Sequence, residues 1–148
     1  MIALAVLGAM IAVGLVARRR WMIVTVRGHS MAPTLRDGER LIARRWSPAA
    51  VPVTGELIVF LPDALGYRIK RVAGVAGDPV PAWLAARDGE RIPAGHVPAG
   101  HVPAGHVPAG HVIVRGDNPR SEGSRELGYI ALDAIIARIV HRGARRAG

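Results

Sequence analysis

The 148-residue chain has no cysteine. That excludes disulfides and thiolate metal sites, and it leaves cysteine usage silent on redox compartment. Aromatic residues make up only 4% of the sequence while 50% is hydrophobic, so Val, Ile, Leu and Ala must build the core. Lysine is nearly missing. Of 20 basic residues Lys70 is the only lysine, so the other 19 are arginine. A guanidinium cannot be deprotonated in a protein, whereas a buried amine can. A single lysine in an arginine-biased chain therefore points to a position that needs a neutral amine. The formal net charge of +9 suits a surface facing anionic lipid or nucleic acid, and it equally serves solubility alone. The length suffices for one domain with a modest core.

Residues 1–17 contain neither charge nor proline, and Arg18-Arg19-Arg20 and Trp21 follow. At 1.5 Å per residue this run makes a helix of roughly 25 Å, the short end of a membrane span. The cationic and aromatic flank suits the headgroup layer. The expectation is an uncleaved transmembrane anchor over residues 1–20. A cleaved leader is the rival reading, opposed by the lack of a basic stretch ahead of the apolar run. Three arginines after the helix favour a cytoplasmic C-terminal side.

From Trp21 the texture changes to short β-branched runs broken by Gly, Pro and Asp. Strands are expected over Trp21–Val26, Arg40–Trp46, Glu56–Leu61, Tyr67–Val75 and Val112–Arg115, with one or two more over Tyr129–Val140. Pro81–Arg87 looks briefly helical. Residues 21–148 thus read as one mostly β domain, an antiparallel sheet or barrel. Residues 93–112 are four copies of Pro-Ala-Gly-His-Val. Five residues match neither helical nor strand periodicity, and each proline removes a backbone donor. Serial turns or an extended loop are expected. His96, His101, His106 and His111 invite a metal reading, but no carboxylate alternates with them, and duplication of one turn accounts for them. No metal or cofactor is expected.

Gly28-His29-Ser30-Met31-Ala32-Pro33-Thr34-Leu35 places a hydroxyl between an apolar run and a proline-fixed turn. A serine becomes a nucleophile only when a base takes its proton, and a lysine serves if burial lowers its pKa. Lys70 lies among Ile69, Val72 and Val75. Strand alternation puts it on the face of Arg68 and Val72, and a nearby arginine would lower its pKa further.

Ser30-Met31-Ala32-Pro33-Thr34-Leu35, Asp37-Gly38-Glu39-Arg40-Leu41-Ile42, Gly55-Glu56-Leu57-Ile58-Val59-Phe60, Lys70-Arg71-Val72-Ala73-Gly74-Val75-Ala76-Gly77-Asp78 and Gly116-Asp117-Asn118 with Ser124-Arg125 and Gly128 stand in order behind the apolar segment. In this series the chain resembles the type I signal peptidases, membrane-anchored serine proteases with a Ser-Lys dyad. The resemblance implies an all-β fold, Ser30 as nucleophile and Lys70 as general base. The Ser30 N–H would help bind the oxyanion; Gly28 cannot add a side-chain donor there. Met31 would pack beside the site. Ser121 is the best match to the serine that bonds the lysine, and Asp117 and Arg125 would support the site. The implied substrate is the signal peptide of a preprotein, bound as an added strand with small residues one and three positions before the cut. The implied setting is the extracytoplasmic face of the cell membrane, with a single-pass anchor in the lipid bilayer and no nucleic-acid partner. That orientation opposes the one the arginine flank favours.

The chain departs from the pattern in three places. The segment from Asn118 to Arg125 is about one residue short, with Gly123 where an Asp is usual. Ala76 replaces a Pro, and the repeat enlarges the connection before Gly116. Two other readings stay open: a maturation protease dedicated to one partner, and a non-catalytic membrane-anchored binding module. A self-cleaving repressor with the same dyad is disfavoured, because no helix-turn-helix precedes Ser30.

Overall fold

The computed structural model describes residues 2–62, 66–84 and 105–142. Helix α1 spans Ile2–Arg20 and runs directly into β1, Trp21–Thr25. The remaining strands are β2 (Arg40–Arg45), β3 (Leu57–Phe60), β4 (Arg68–Val75), β5 (His111–Arg115), β6 (Ile130–Ala131) and β7 (Ile135–Arg142). They form one seven-stranded sheet in the order β1-β2-β7-β3-β4-β5-β6. Every pairing is antiparallel.

The expected strands are therefore present, with the C-terminal stretch divided in two by a 3-10 turn at Leu132–Ala134. Alternation explains the outer strands: in β2, Leu41 and Ala43 are buried while Arg40, Ile42 and Arg44 are exposed. The centre differs. Strand β3 is buried at Ile58, Val59 and Phe60 in succession. Val59 joins a core with Val24, Met31, Leu35, Leu41 and Ile69, and Ile58 and Phe60 join another with Val72, Val112, Val114 and Ile135. Covering on both faces makes this part of the sheet rigid enough to hold a side chain in place.

Two expectations need correction or completion. Helix α1 forms, but the structure does not support the expected span: among the described residues no helix is long and apolar enough to cross a membrane. The reason lies in its last turn, which is Arg18, Arg19 and Arg20. The charge-free part, residues 2–17, reaches about 24 Å, short of a hydrocarbon layer of ~30 Å. Its Leu4, Leu7, Met10 and Val13 are exposed. Second, a one-turn helix α2, Ser124–Leu127, stands where only a polar segment was expected. Glu126 starts it by accepting the Gly123 N–H at 2.8 Å.

The end of the repeat is ordered into the fold. His106 bridges to Pro79, Val107 is buried with Leu84 and Ile113, and His111 opens β5. The expected turns or loop over residues 93–104, including His96 and His101, lie outside the described residues, as do residues 85–87 of the expected helical stretch.

Candidate active site

The loop between β1 and β2 is closed at its base by Val26 N–H to Glu39 O, 2.8 Å, and Gly38 N–H to Val26 O, 2.9 Å. Gly28 has φ +78°, a conformation L side chains avoid. Its N–H donates to Asp37 Oδ1 at 2.7 Å. Met31 and Leu35 then drop into the core, joined by Leu35 N–H to Met31 O, 2.8 Å. Two buried anchors after the hydroxyl fix a turn that leaves Ser30 half-buried.

Lys70 sits in β4, paired in register with Ile58 of β3. It is 2% exposed. Burial lowers its pKa from the ordinary lysine range and the Arg68 charge acts in the same direction, against the opposing fields of Glu122 and Glu126. Among the described residues no acceptor lies in hydrogen-bond reach of its amine. A buried ammonium without a partner is costly, which favours the neutral form.

The turn after β5 supplies the third wall. Asn118 N–H donates to Ser30 O at 3.1 Å, and Asn118 Nδ2 donates to His29 O at 3.0 Å. The Ser121 hydroxyl donates to Asn118 O at 2.8 Å. Gly116 makes this approach possible: a Cβ there would stand 1.7 Å from Ser121 Oγ and 2.6 Å from Ser30 O. Arg71, next to Lys70, clamps the turn through a two-pronged bond to Asp117, Nε–Oδ1 2.8 Å and Nη2–Oδ2 2.5 Å. That bond holds the Asp117 carboxyl below the usual carboxylate range, with Thr34 adding to it. Arg68 pairs with Glu122.

Ser30, Lys70, Met31, Ser121, Arg68, Asn118 and Glu122 line one cleft of ≈ 450 Å³ together with His29 and Tyr67. Residues 40 positions apart in sequence thus face the same space. No hydrogen bond joins Lys70 to Ser30 among the described residues. Catalytic hydrogen bonds often tighten only with substrate bound. No acceptor among the described residues takes the Ser30 N–H.

The other expected supporting residues fall elsewhere. Gly28 does not line the cleft; its N–H is committed to Asp37. Asp117 acts behind the wall through Arg71. Arg125 lies beyond the wall, its Nη2 bonded to Trp83 O at 2.9 Å. Asn118 and Glu122 were not foreseen. Asn118 had a sequence signal, since an asparagine at a Gly-Asp-Asn-Pro turn is placed to bond backbone groups. Nothing local marked Glu122 as the partner of Arg68, 54 residues away.

No curated protein matches the sequence significantly. A family model described as "Signal peptidase, peptidase S26" matches residues 1–85, which carry both Ser30 and Lys70 and make up more than half of the 148 residues. By that match, the chain belongs to the signal peptidase family, peptidase S26.

Proposed function

We propose that the protein is a serine endopeptidase that removes signal peptides from exported preproteins, with Ser30 as nucleophile and Lys70 as general base. The observation that carries this is the shared cleft. A buried amine without a hydrogen-bond partner among the described residues opens into the same space as the hydroxyl at the family's nucleophile position. Ser30 Oγ attacks the scissile carbonyl as its proton passes to Lys70 Nζ. The Ser30 N–H, without an acceptor among the described residues, is available to the oxyanion. The ammonium then protonates the departing amine, leaving an ester on Ser30. Water, deprotonated by the same amine, releases the acid and restores the hydroxyl.

The substrate adds as an extended strand with small residues before the cut. The protein acts at the extracytoplasmic surface of a membrane. Helix α1, exposed along its apolar length and ending in three arginines, associates it with lipid and anionic headgroups.

Incubation with a labelled preprotein tests the reading. The wild type releases a peptide ending in small residues. Ser30→Ala and Lys70→Arg release none above background, the second because guanidinium cannot accept the proton. Normal turnover by Lys70→Arg refutes the mechanism. Cleavage of one substrate in a broad panel would identify a dedicated maturation protease.

A further inference from the structure

A second cleft, of ≈ 230 Å³, lies across the wall from the first and is lined by Trp83, Arg115, Gly116, Ser121, Arg125 and Glu126, among others. Asn118 and Ser121 belong to both clefts, so only the turn after β5 separates them. Gly116, on this second cleft, lies against the backbone of Ser30, since a Cβ on it would meet Ser30 O at 2.6 Å.

The cations here are held but not neutralised. The half-buried arginines of the sheet each have a carboxylate: Arg68 has Glu122, Arg71 has Asp117 and Arg138 has Glu56. Among the described residues Arg115 and Arg125 form no ion pair. Both are instead organised around Trp83. The Arg115 guanidinium lies 5.3 Å from the centre of its ring, and Arg125 Nη2 bonds its carbonyl. Glu126, on the same cleft, is occupied by the Gly123 N–H, and Asp117, whose field Arg115 shares, is bonded to Arg71. Both side chains are exposed, and two guanidinium forks whose other N–H groups make no bond among the described residues suit a planar carboxylate.

The geometry points to a recognition pocket for an acidic side chain of the polypeptide substrate, a Glu or Asp near the scissile bond, gripped by Arg115 and Arg125 beside Trp83. The inference rests on the peptidase reading for its choice of ligand. An extended chain advances about 3.3 Å per residue, and the pocket begins against Ser30, so the acidic residue lies within about four positions of the cut.

The test is a peptide set built on one substrate, carrying a single Glu or its Gln counterpart at each of four positions on either side of the cut. Cleavage is measured with wild-type protein, and binding of the same peptides, fluorescently labelled, with full-length Ser30→Ala protein. The expected result is one position at which Glu outperforms Gln by about tenfold in KM and Kd. That preference falls with added salt, disappears in Arg115→Gln/Arg125→Gln, and is weakened but keeps its sign in Arg125→Lys, which retains the charge without the fork. The Glu–Gln comparison on wild type needs no variant and stands even if the double variant misfolds. Equal handling of Glu and Gln at every position, or a preference that survives in a folded double variant, overturns the pocket. Cleavage without charge preference removes the pocket and leaves the peptidase. Charge-dependent binding that needs both arginines, with no cleavage by wild type, removes the peptidase and leaves the pocket.

Discussion

At the scale of single residues, the protonation of Lys70 links activity to stability. Its folded pKa is depressed, chiefly by burial, so on the proposed mechanism activity should rise with pH through a limb below the ordinary value of 10.5 as the amine becomes neutral. The linkage sign follows from proton counts. Between the folded and unfolded pKa values the unfolded chain binds the additional proton, so stability rises with pH over that window. Each tenfold difference in proton affinity is about 1.4 kcal/mol. Lys70→Met should therefore lose the proposed activity yet melt higher than wild type at pH 7, with an advantage that shrinks as pH approaches 10.5. Melting curves from pH 6 to about 10.5 check this; an advantage that does not change with pH contradicts a depressed lysine. Gly116 makes the opposite case, a residue whose value lies in lacking a side chain. The Cβ of Gly116→Ala would overlap Ser121 Oγ and press on the Ser30 carbonyl. Overpacking of this kind costs about 1–3 kcal/mol, a fall in Tm of roughly 3–10 °C for a chain of this size. Because Ser30 moves with its carbonyl, kcat/KM falls more than the fraction unfolded explains, as paired calorimetry and kinetics on the variant would show.

At the scale of elements, the Arg71–Asp117 clamp ties the turn after β5 to β4. Asp117 has a lowered pKa, first because Arg71 bonds it. Its contribution is full above the unfolded carboxylate value near 3.8 and is lost as pH falls through the folded one. Arg71→Gln should cost about 1–2 kcal/mol at pH 7, toward the low end for charge-assisted bonds because the Arg71 side chain is 34% exposed. The penalty should fade in acid, which denaturant titrations at pH 7 and at about pH 3 would compare. The strands themselves were legible in the sequence because β-branched runs between Gly, Pro and Asp carry a local signal, as in Arg40–Arg45 with its alternating burial. Lys70 was legible as a buried amine because Ile69 and Val72 flank it. The clamp was not, since the partners are 46 residues apart and neither segment specifies the other. Helix α2 was missed because a four-residue turn started by Glu126 has no apolar period to read. The extent of the first helix was not legible either: the three arginines read as a flank, whereas the helix continues through Arg18-Arg19-Arg20.

At the scale of the whole molecule, the repeat shows how the fold absorbs extra chain. Its last two copies are used unequally. Val107 fills the core beside Leu84 and Ile113, and its N–H and C=O bond Asp78 O and Gly77 N. Pro108-Ala109-Gly110 turns, and Val112 is buried at the start of β5. Every side chain these contacts need is present in two copies. Deleting residues 93–102 leaves the sequence from Pro103 onward intact, and halving such a connection changes its closure entropy by only about 0.6 kcal/mol. The two-copy protein should match wild type in Tm within about 3 °C and keep its kcat/KM. One copy is different. Ile92 would then precede the remaining Pro-Ala-Gly-His-Val and occupy the place of Val107, an acceptable apolar exchange. Glu90 would fall where Gly105 adopts φ +132°, a conformation reserved for glycine. The one-copy protein should therefore lose about 1–3 kcal/mol, and Glu90→Gly in that background should restore most of the loss. A deletion series read by thermal melting and peptide cleavage decides it. A steady decline from four copies to two would mean that the earlier copies contribute packing of their own.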